Sequence, residues 1–345
     1  TIDQPGIWVI DVATGAQRRV ADAGTFDVGG ETLFSARGRD VYATPLAGGA
    51  TVKRYTAPSQ PDPQLSSGYR IDYSREAVEG IEASSDGTAV LAIFAPVISP
   101  SGAQSGRNGD FFLVGPGGQR IQSEHVLRDT AQWSVDGTQL VTTSFGQSRP
   151  DPDTTPVSYL PPAKTLVVLG RDGKTFNGPF SGPQVDAITR LGWAAHGRAL
   201  AVDDGQTTFN RFDLATGSFT QIRGLRGSVH IGPDDRALGV RYGTDGERSV
   251  HVSDPATGKI HPFANRGDNP TWSPDGRWAV IDDLPEPGAS LGLLVTDGAG
   301  RPRYTVTPGP ALALGRSGLG LLGKAWPSAE WSASSRYLVV VARAR

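Results

Sequence analysis

The stretch Trp272-Ser273-Pro274-Asp275-Gly276-Arg277-Trp278-Ala279-Val280-Ile281 decides the fold of this chain. Its Pro-Asp-Gly centre favours a tight turn, because proline presets φ, aspartate bonds the local backbone and glycine accepts a positive φ. An aromatic residue and a serine precede the turn, and an alternating apolar run follows it. This pattern predicts two antiparallel strands joined as a β-hairpin.

Variants of this hairpin recur along the whole chain. Aligned on Trp272, further copies occupy 26–34, 83–87, 133–137, 193–197, 231–235 and 331–335. The spacing of about 40 to 60 residues is typical of four-stranded β-propeller blades that carry insertions.

A second class of turn alternates with the first. Three nearly identical copies, Asp11–Gly15, Asp213–Gly217 and Asp254–Gly258, join an apolar strand to a more polar one. Looser copies occur at 48–49, 117–118, 172–173 and 298–300. With the strands of a blade labelled A to D from the hub outward, the first turn class joins A to B and the second joins C to D. Each class then predicts seven blades.

The two ends of the chain complement each other. The chain opens with a C–D hairpin around Asp11–Gly15 and closes with an A–B hairpin from Trp331 to Val341. We therefore predict an all-β, seven-bladed β-propeller, a single domain over 1–345, whose blade 7 is shared between 1–20 and 325–345. Pairing of the N-terminal C–D strands with the C-terminal A–B strands would remove open sheet edges.

Composition excludes several classes of function. The formal net charge is -2, from 33 basic and 35 acidic residues, so no overall positive field attracts nucleic acid. Cysteine is absent, which excludes disulfides and thiolate metal sites. No apolar run approaches the roughly 20 residues that span a bilayer, so we predict no direct membrane span.

The Trp-Ser-Pro-Asp-Gly units resemble the WD40-like repeats of TolB-type β-propellers, a bacterial family found largely in the cell envelope. The likeness covers nearly all 345 residues and is sharpest at 271–281. It implies an exported protein, periplasmic or at the cell surface, that binds a protein or a polysaccharide of the envelope. TolB itself has fewer blades and an additional N-terminal domain, so its own partners are not carried over.

Similar repeats occur in propellers fused to prolyl-peptidase domains and in some polysaccharide lyases. The alternative function is therefore an enzyme, a lyase or a hydrolase, with its site at the mouth of the central channel. No residues are assigned a catalytic role. A dinucleotide-like string at 318–323 and a nucleophile-elbow-like string at 288–292 both fall in predicted loops, outside the strand and helix context that their chemistry requires.

The long segments of the chain are all B–C or D–A connections, so they share one face of the propeller, here called the long-connection face. They are 58–80, 94–109, 119–130, 144–163, 176–188, 284–290 and 308–329. We predict that this face binds the partner. Tyrosine and arginine favour interface centres, and the candidate residues of this kind are Tyr69, Arg70, Tyr73, Phe145, Arg149 and Tyr159. The alternative is that these loops only pack over the hub.

Two acidic pairs occupy equivalent positions where strand B reaches the same face. They are Asp203-Asp204 in blade 4 and Asp282-Asp283 in blade 6, with Arg241 at the matching position of blade 5. Several carboxylate oxygens could hold Ca²⁺, although no other cofactor is predicted. An ion-pair network around Arg241 is the simpler interpretation. The five histidines, His125, His196, His230, His251 and His261, show no close metal-ligand spacing.

Overall fold

The computed structural model describes residues 2–59, 68–125, 127, 131–145, 149–150, 159–160, 164–188, 190–203, 209–244, 247–255, 257–283, 292–315 and 329–344. These residues form seven antiparallel sheets of the blade type. The predicted seven-bladed β-propeller is confirmed. That the chain is a single domain stays a prediction.

The strands follow the predicted blade order. The chain begins with β1 (Gly6–Asp11) and β2 (Gln17–Ala21). Blade 1 contains β3 (Phe26–Gly29), β4 (Thr32–Arg37), β5 (Asp40–Pro45) and β6 (Val52–Thr56). Blade 2 contains β7 (Arg70–Ile71), β8 (Ala77–Ala83), β9 (Ala89–Ile98), β10 (Gln104–Val114) and β11 (Arg120–Ile121). Blade 3 contains β12 (Ala131–Trp133), β13 (Gln139–Phe145), β16 (Lys164–Gly170) and β17 (Thr175–Phe180), and β14 (Arg149–Pro150) pairs with β15 (Tyr159–Leu160) beside it.

The second half of the chain repeats the pattern. Blade 4 contains β18 (Arg190–Trp193), β19 (Ala199–Asp203), β20 (Phe209–Asp213) and β21 (Ser218–Ile222). Blade 5 contains β22 (Arg226–Ile231), β23 (Ala237–Tyr242), β24 (Arg248–Ser253) and β25 (Ile260–Ala264). Blade 6 contains β26 (Asp268–Trp272), β27 (Trp278–Asp283), β28 (Gly292–Asp297) and β29 (Pro302–Val306). The last strands are β30 (Leu312–Gly315), β31 (Ala329–Trp331) and β32 (Tyr337–Ala344).

Helices are short in the part of the chain that the structure describes. They are a 3-10 helix, Tyr73–Arg75, and α1 (Pro183–Asp186). Among these described elements, no helix has the length and apolar character needed to cross a membrane.

Blade 7 joins the two ends of the chain, as predicted. Strand β1 pairs with β32 in antiparallel register, from Gly6 opposite Ala342 to Asp11 opposite Tyr337. Alternate side chains of a strand point to opposite faces of its sheet, so each strand packs against two neighbouring blades. Buried Ile7 and Val9 pack toward blade 1, whereas Ile10 packs toward blade 6. Both ends of the chain therefore contribute to two blade interfaces.

The A–B turns have a local chemical cause. In blade 6 the Asp275 carboxylate accepts hydrogen bonds from the Ser273 hydroxyl at 2.7 Å and from the Arg277 backbone N–H at 3.0 Å. Gly276 has a φ of +69°, a left-handed backbone conformation that residues other than glycine disfavour. Local bonds therefore specify the hairpin, and the Asp275 backbone N–H also donates to the Ser335 hydroxyl of blade 7 at 2.9 Å.

The predicted loop at 94–109 is wrong. Strands β9 and β10 continue through it, so their connection is only the turn at 99–103. The glycine- and serine-rich segment 101–109 looks like a loop in sequence, but its backbone is paired with β9 over most of its length. Strand β7 adds to the same sheet by pairing with β9. We call the projecting part of β7, β9 and β10 the blade 2 arm.

Candidate functional site

The strand A residue that precedes the tryptophan position lines the centre of the propeller. In three blades its side chain accepts a hydrogen bond from a backbone N–H of the next blade. The pairs are Asp27 Oδ2 with Ala83 N at 2.7 Å, Glu82 Oε1 with Trp133 N at 3.2 Å, and His230 Nδ1 with Trp272 N at 3.1 Å. The polar residues of the hub therefore connect adjacent blades.

The tryptophans at the end of strand A make a second connection in the first half of the ring. Trp133 Nε1 donates to the Glu82 carbonyl at 2.9 Å, and Trp193 Nε1 donates to the Gln132 carbonyl at 2.9 Å. Both indoles are buried. Each one therefore fills the space between two blades and hydrogen-bonds across it.

A cavity of about 190 Å³ lies among the A strands and the A–B turns. We call it the hub cavity. Its lining residues include Trp133, Trp193 and Trp331. Carboxyl groups of blades 7, 1 and 2 also line it, from Glu330, Asp27 and Glu82. Because its lining includes A–B turn residues such as Ser85, Gly137 and Pro274, the hub cavity lies toward the face opposite the long-connection face.

His230 brings a neutral imidazole to this cavity. Its Nδ1 accepts the Trp272 backbone N–H, so the ring proton resides on Nε2. Desolvation by burial lowers the pKa of His230 to about 4, because the charged form loses its hydration. At neutral pH the ring is therefore uncharged, with Nε2–H as its donor.

The structure brings part of the predicted Tyr-Arg surface together. Tyr69 is 43% exposed and immediately precedes β7, Arg70 is exposed and begins β7, and Tyr73 is half-buried and begins the short helix that follows. They therefore belong to the blade 2 arm. This arrangement agrees with the predicted surface, whose binding role stays a prediction.

The other Tyr-Arg candidates belong to blade 3. Phe145 ends β13, Arg149 lies in β14 opposite Leu160, and Tyr159 lies in β15 opposite Pro150. The structure thus places these backbones on the same long connection of blade 3. It describes the strand pairing of this segment, and 151–158 lie outside the described residues.

The acidic pair of blade 6 has its own partners. Both carboxylates are buried. Asp283 forms an ion pair with Arg266 at 2.8 Å, and Asp282 accepts a hydrogen bond from Asn269 Nδ2 at 2.8 Å. Arg266 lies in the segment that enters blade 6, and Asn269 lies on β26 of that blade. The ion-pair network around Arg241 stays a prediction.

The remaining members of the acidic set are spread out. Asp203 ends β19, and Asp204 lies outside the described residues. Arg241 lies on β23, and its positive charge adds to desolvation in lowering the pKa of His251. Within the described ranges, no group of three or more His, Cys, Asp or Glu side chains could hold a metal ion. The Ca²⁺ site therefore stays a prediction.

Sequence reasoning missed the hub position itself. Counted back one residue from each tryptophan-equivalent position, the chain has polar side chains in six blades: Asp27, Glu82, Gln132, His230, Thr271 and Glu330. Blade 4 has Gly192 there. The alignment of the repeats on Trp272 already shows that the residue before the tryptophan position is polar in six repeats. Polar residues repeated at a strand position that faces the propeller axis were therefore the signal that could have predicted the hub.

Comparisons with known proteins add evidence on the fold. No protein-family model matches the sequence, and no curated protein matches it. Among solved structures, a candidate TolB from Agrobacterium tumefaciens is similar over 98% of this chain and 97% of its own, with 12% identity and a TM-score of 0.50.

Two enzymes have comparable similarity. A prolyl endopeptidase matches 93% of this chain with 14% identity and a TM-score of 0.51, and this chain spans 50% of its length. An oligogalacturonate lyase in complex with manganese matches 84% of this chain and 82% of its own, with 14% identity and a TM-score of 0.50. The chain therefore has the fold of TolB and of these propeller enzymes, which confirms in structure the resemblance of its repeats to TolB-type propellers.

Proposed function

We propose that this chain is a non-catalytic binding propeller of the bacterial cell envelope, exported to the periplasm or the cell surface. It engages a protein partner through the long-connection face. The observation that carries the proposal is the exposed Tyr69-Arg70 pair on the blade 2 arm. The envelope location rests on the resemblance to TolB-type propellers.

The blade 2 arm is a rigid support for these side chains. Arg107 forms a two-pronged ion pair with Glu79, and its guanidinium lies over the ring of Phe94, 5.6 Å from the ring centroid. Strand β7 is fixed by pairing of Arg70 with Ile98. A side chain that is already held in place loses less conformational entropy on binding, which favours affinity.

A second Tyr-Arg group lies on the long-connection face. Tyr242 ends β23 and is 45% exposed. The guanidinium of Arg248 lies 5.5 Å from its ring centroid and forms an ion pair with Asp268 at 2.5 Å. Tyrosine and arginine are enriched at the centres of protein interfaces, so blades 2 and 5 both present suitable anchors.

The experiment has two stages. The intact protein is used to capture partners from an envelope fraction of the source bacterium, and the captured protein is then purified and titrated. The test variant is Tyr69→Ala/Arg70→Ala. Phe176→Ala is the matched control, because Phe176 is a 64% exposed aromatic on the outer strand of blade 3.

We expect the double variant to bind at least about tenfold more weakly, as loss of interface anchors usually does, and the control to bind normally. Equal affinity of the double variant and the intact protein would contradict the proposal. The enzyme alternative is checked in parallel by incubating the protein with polysaccharides, with and without Ca²⁺, and measuring new chain ends.

A further inference from the structure

The outer side of blade 2 lacks most of the strand that completes the other blades. In blade 4 the outer strand β21 pairs with β20 along all five of its residues. In blade 2 the outer strand β11 pairs with β10 only at Leu113 and Val114. The chain then crosses to blade 3, where Glu124 N–H bonds the Gly173 carbonyl at 3.0 Å. The outer edge of β10 before Leu113 therefore has no neighbouring strand among the described residues.

Pro96 on β9 fixes which backbone groups of β10 face this edge. Proline has no N–H, and the Pro96 carbonyl accepts from Asp72 N–H at 2.9 Å, on the side of β9 away from β10. The N–H and C=O of a strand residue point to the same side, so Arg107, which lies opposite Pro96, directs its own backbone groups outward. Every second residue shares this direction. Gly109 and Phe111 therefore face the edge as well.

The outward backbone groups of β10 are available for pairing. The N–H groups of Arg107 and Gly109 bond no acceptor within the described part of the chain. The next outward donor, Phe111 N–H, bonds the adjacent Asp110 Oδ1 at 2.8 Å, where a complete blade would supply an acceptor from its outer strand. A strand edge of this kind is a template for pairing with another extended chain.

The edge of β10 also lacks the features that usually block such pairing, which are proline and charge at the edge. The outer strands of three other blades each contain a proline: Pro179, Pro262 and Pro302. Strand β10 contains none. The charge of Arg107 is held over the sheet by its ion pair with Glu79 and its contact with the Phe94 ring. A second chain can therefore approach the backbone of this edge.

We propose that the outer edge of β10 binds an extended peptide segment, which pairs antiparallel with β10 as β11 does and takes the place of the missing part of the outer strand. The inference rests on the proposed function, because the segment belongs to the protein partner that the blade 2 arm engages. A Cβ at Gly109 would collide with the Phe94 ring, so this ring lies across Gly109 and borders the edge. Phe111 packs edge to face against it, with ring centroids 6.5 Å apart. The segment therefore carries an apolar or aromatic side chain opposite Gly109.

Other occupants fit the edge less well. A helix satisfies its own backbone groups, so it would leave the outward groups of Arg107 and Gly109 unbonded. Two copies of this chain paired about Gly109 would set Arg107 of each opposite Phe111 of the other. Because Phe111 N–H is already bonded to Asp110, a symmetric pair meets this blocked donor twice and a peptide meets it once.

The first measurement is amide hydrogen exchange of the free protein, resolved by residue. The amides of Arg107 and Gly109 should exchange fast, because they face the open edge. Those of Asn108 and Asp110 face β9 and should be protected. Equal protection of the two sets would overturn the proposal, since the edge would then have no free donors.

The second measurement uses a phage-displayed library of random peptides as the probe, selected on the full chain, and the enriched peptides are then synthesised and titrated. The test pair is Arg107→Pro and Arg107→Ala. Both lose the side chain, but only proline removes the outward N–H and places its ring at the edge. We expect Arg107→Pro to bind at least about tenfold more weakly than Arg107→Ala, at similar Tm. Phe176→Ala is the control and should bind like the intact protein.

Should Arg107→Pro fail to fold, amide exchange of the intact protein with bound peptide decides, and Arg107 and Gly109 should become protected. Failure to enrich any peptide, equal affinity of the two Arg107 variants, or binding without this protection would overturn the proposal. A dimer of the intact protein that dissociates in Arg107→Pro would overturn it in favour of pairing between two copies. The proposed function fails instead when Tyr69→Ala/Arg70→Ala binds the captured partner normally, so the two failures are distinguished.

Discussion

The seams between blades 2, 3 and 4 differ from the seam between blades 5 and 6, although the same tryptophan position occurs in both. In the first region Trp133 and Trp193 each donate their indole N–H to the preceding blade. In the second region Trp272 Nε1 is buried without a hydrogen-bond partner among the described residues, and the bond from the Trp272 backbone N–H to His230, the counterpart of the bond from Trp133 N–H to Glu82, joins the blades. The repeated tryptophan thus keeps its place in the core while its indole bond is present in one region and absent from the described residues of the other.

The largest expected effect concerns pH at the seam of blades 5 and 6. A second proton on His230 would go to Nδ1, break the bond to Trp272 N–H and bury a charge. Because the folded-state pKa is about 4 and the ordinary value is 6.5, the unfolded chain binds more protons between these values. His230 therefore contributes stability above pH 6.5, which is lost as pH falls toward 4.

Urea unfolding at several pH values from 7 to 4 measures this effect. The intact protein should lose on the order of 3 kcal/mol more than His230→Gln over this range. His261→Gln is the control, because His261 is exposed, and it should follow the intact protein. Parallel pH profiles for the intact protein and His230→Gln would show that the imidazole does not act at this seam.

The second prediction compares the two tryptophan environments directly. Trp133→Phe removes the indole donor and leaves the buried Glu82 carbonyl without that bond, which costs about 1–3 kcal/mol beyond lost packing. Trp272→Phe loses similar packing but no hydrogen bond seen in the described chain, so its cost should be lower by about 1 kcal/mol or more. Chemical denaturation of both variants at pH 7 measures the difference. Equal costs would mean that the indole bond adds nothing at the hub.

The fold could be predicted from sequence because its signals are local. The Ser273, Asp275 and Gly276 turn is specified by bonds within a few residues, and seven such units imply seven blades. The shared blade 7 could be predicted because the chain begins with a C–D hairpin and ends with an A–B hairpin. The blade 2 arm was missed because segment 101–109 has loop-like composition, and only its pairing with β9 makes it a strand.

The candidate sites were predicted less completely because their contacts join distant parts of the chain. Tyr69 and Arg70 were expected at an exposed surface, and they lie on one. The hub bonds link residues about fifty positions apart, such as Glu82 and Trp133, so no local pattern reveals them. The ion pair of Asp283 with Arg266, seventeen residues earlier, was likewise not evident from the sequence.

The smallest expected effect concerns the seam of blades 4 and 5, where two turn residues depart from the repeat. His196 replaces the turn aspartate, and Asp235, with a φ of +62°, takes the place of the turn glycine. His196 Nδ1 accepts the Arg198 backbone N–H at 3.0 Å, as the aspartate does in other turns, so Nε2 carries the proton and donates to Asp235 at 2.6 Å. The two departures therefore compensate each other across the seam.

His196→Asp restores the repeat consensus but places a carboxylate beside Asp235. We expect it to destabilise the protein by about 1 kcal/mol, because like charges replace a hydrogen bond. Adding Asp235→Gly removes the repulsion and suits the positive φ, so the double variant should recover most of the loss. Urea unfolding of the intact protein, both single variants and the double variant gives the coupling between the two positions. Additive effects would show that each turn tolerates its own residue independently, whereas a recovery in the double variant would show that neighbouring blades exchange polar partners as pairs.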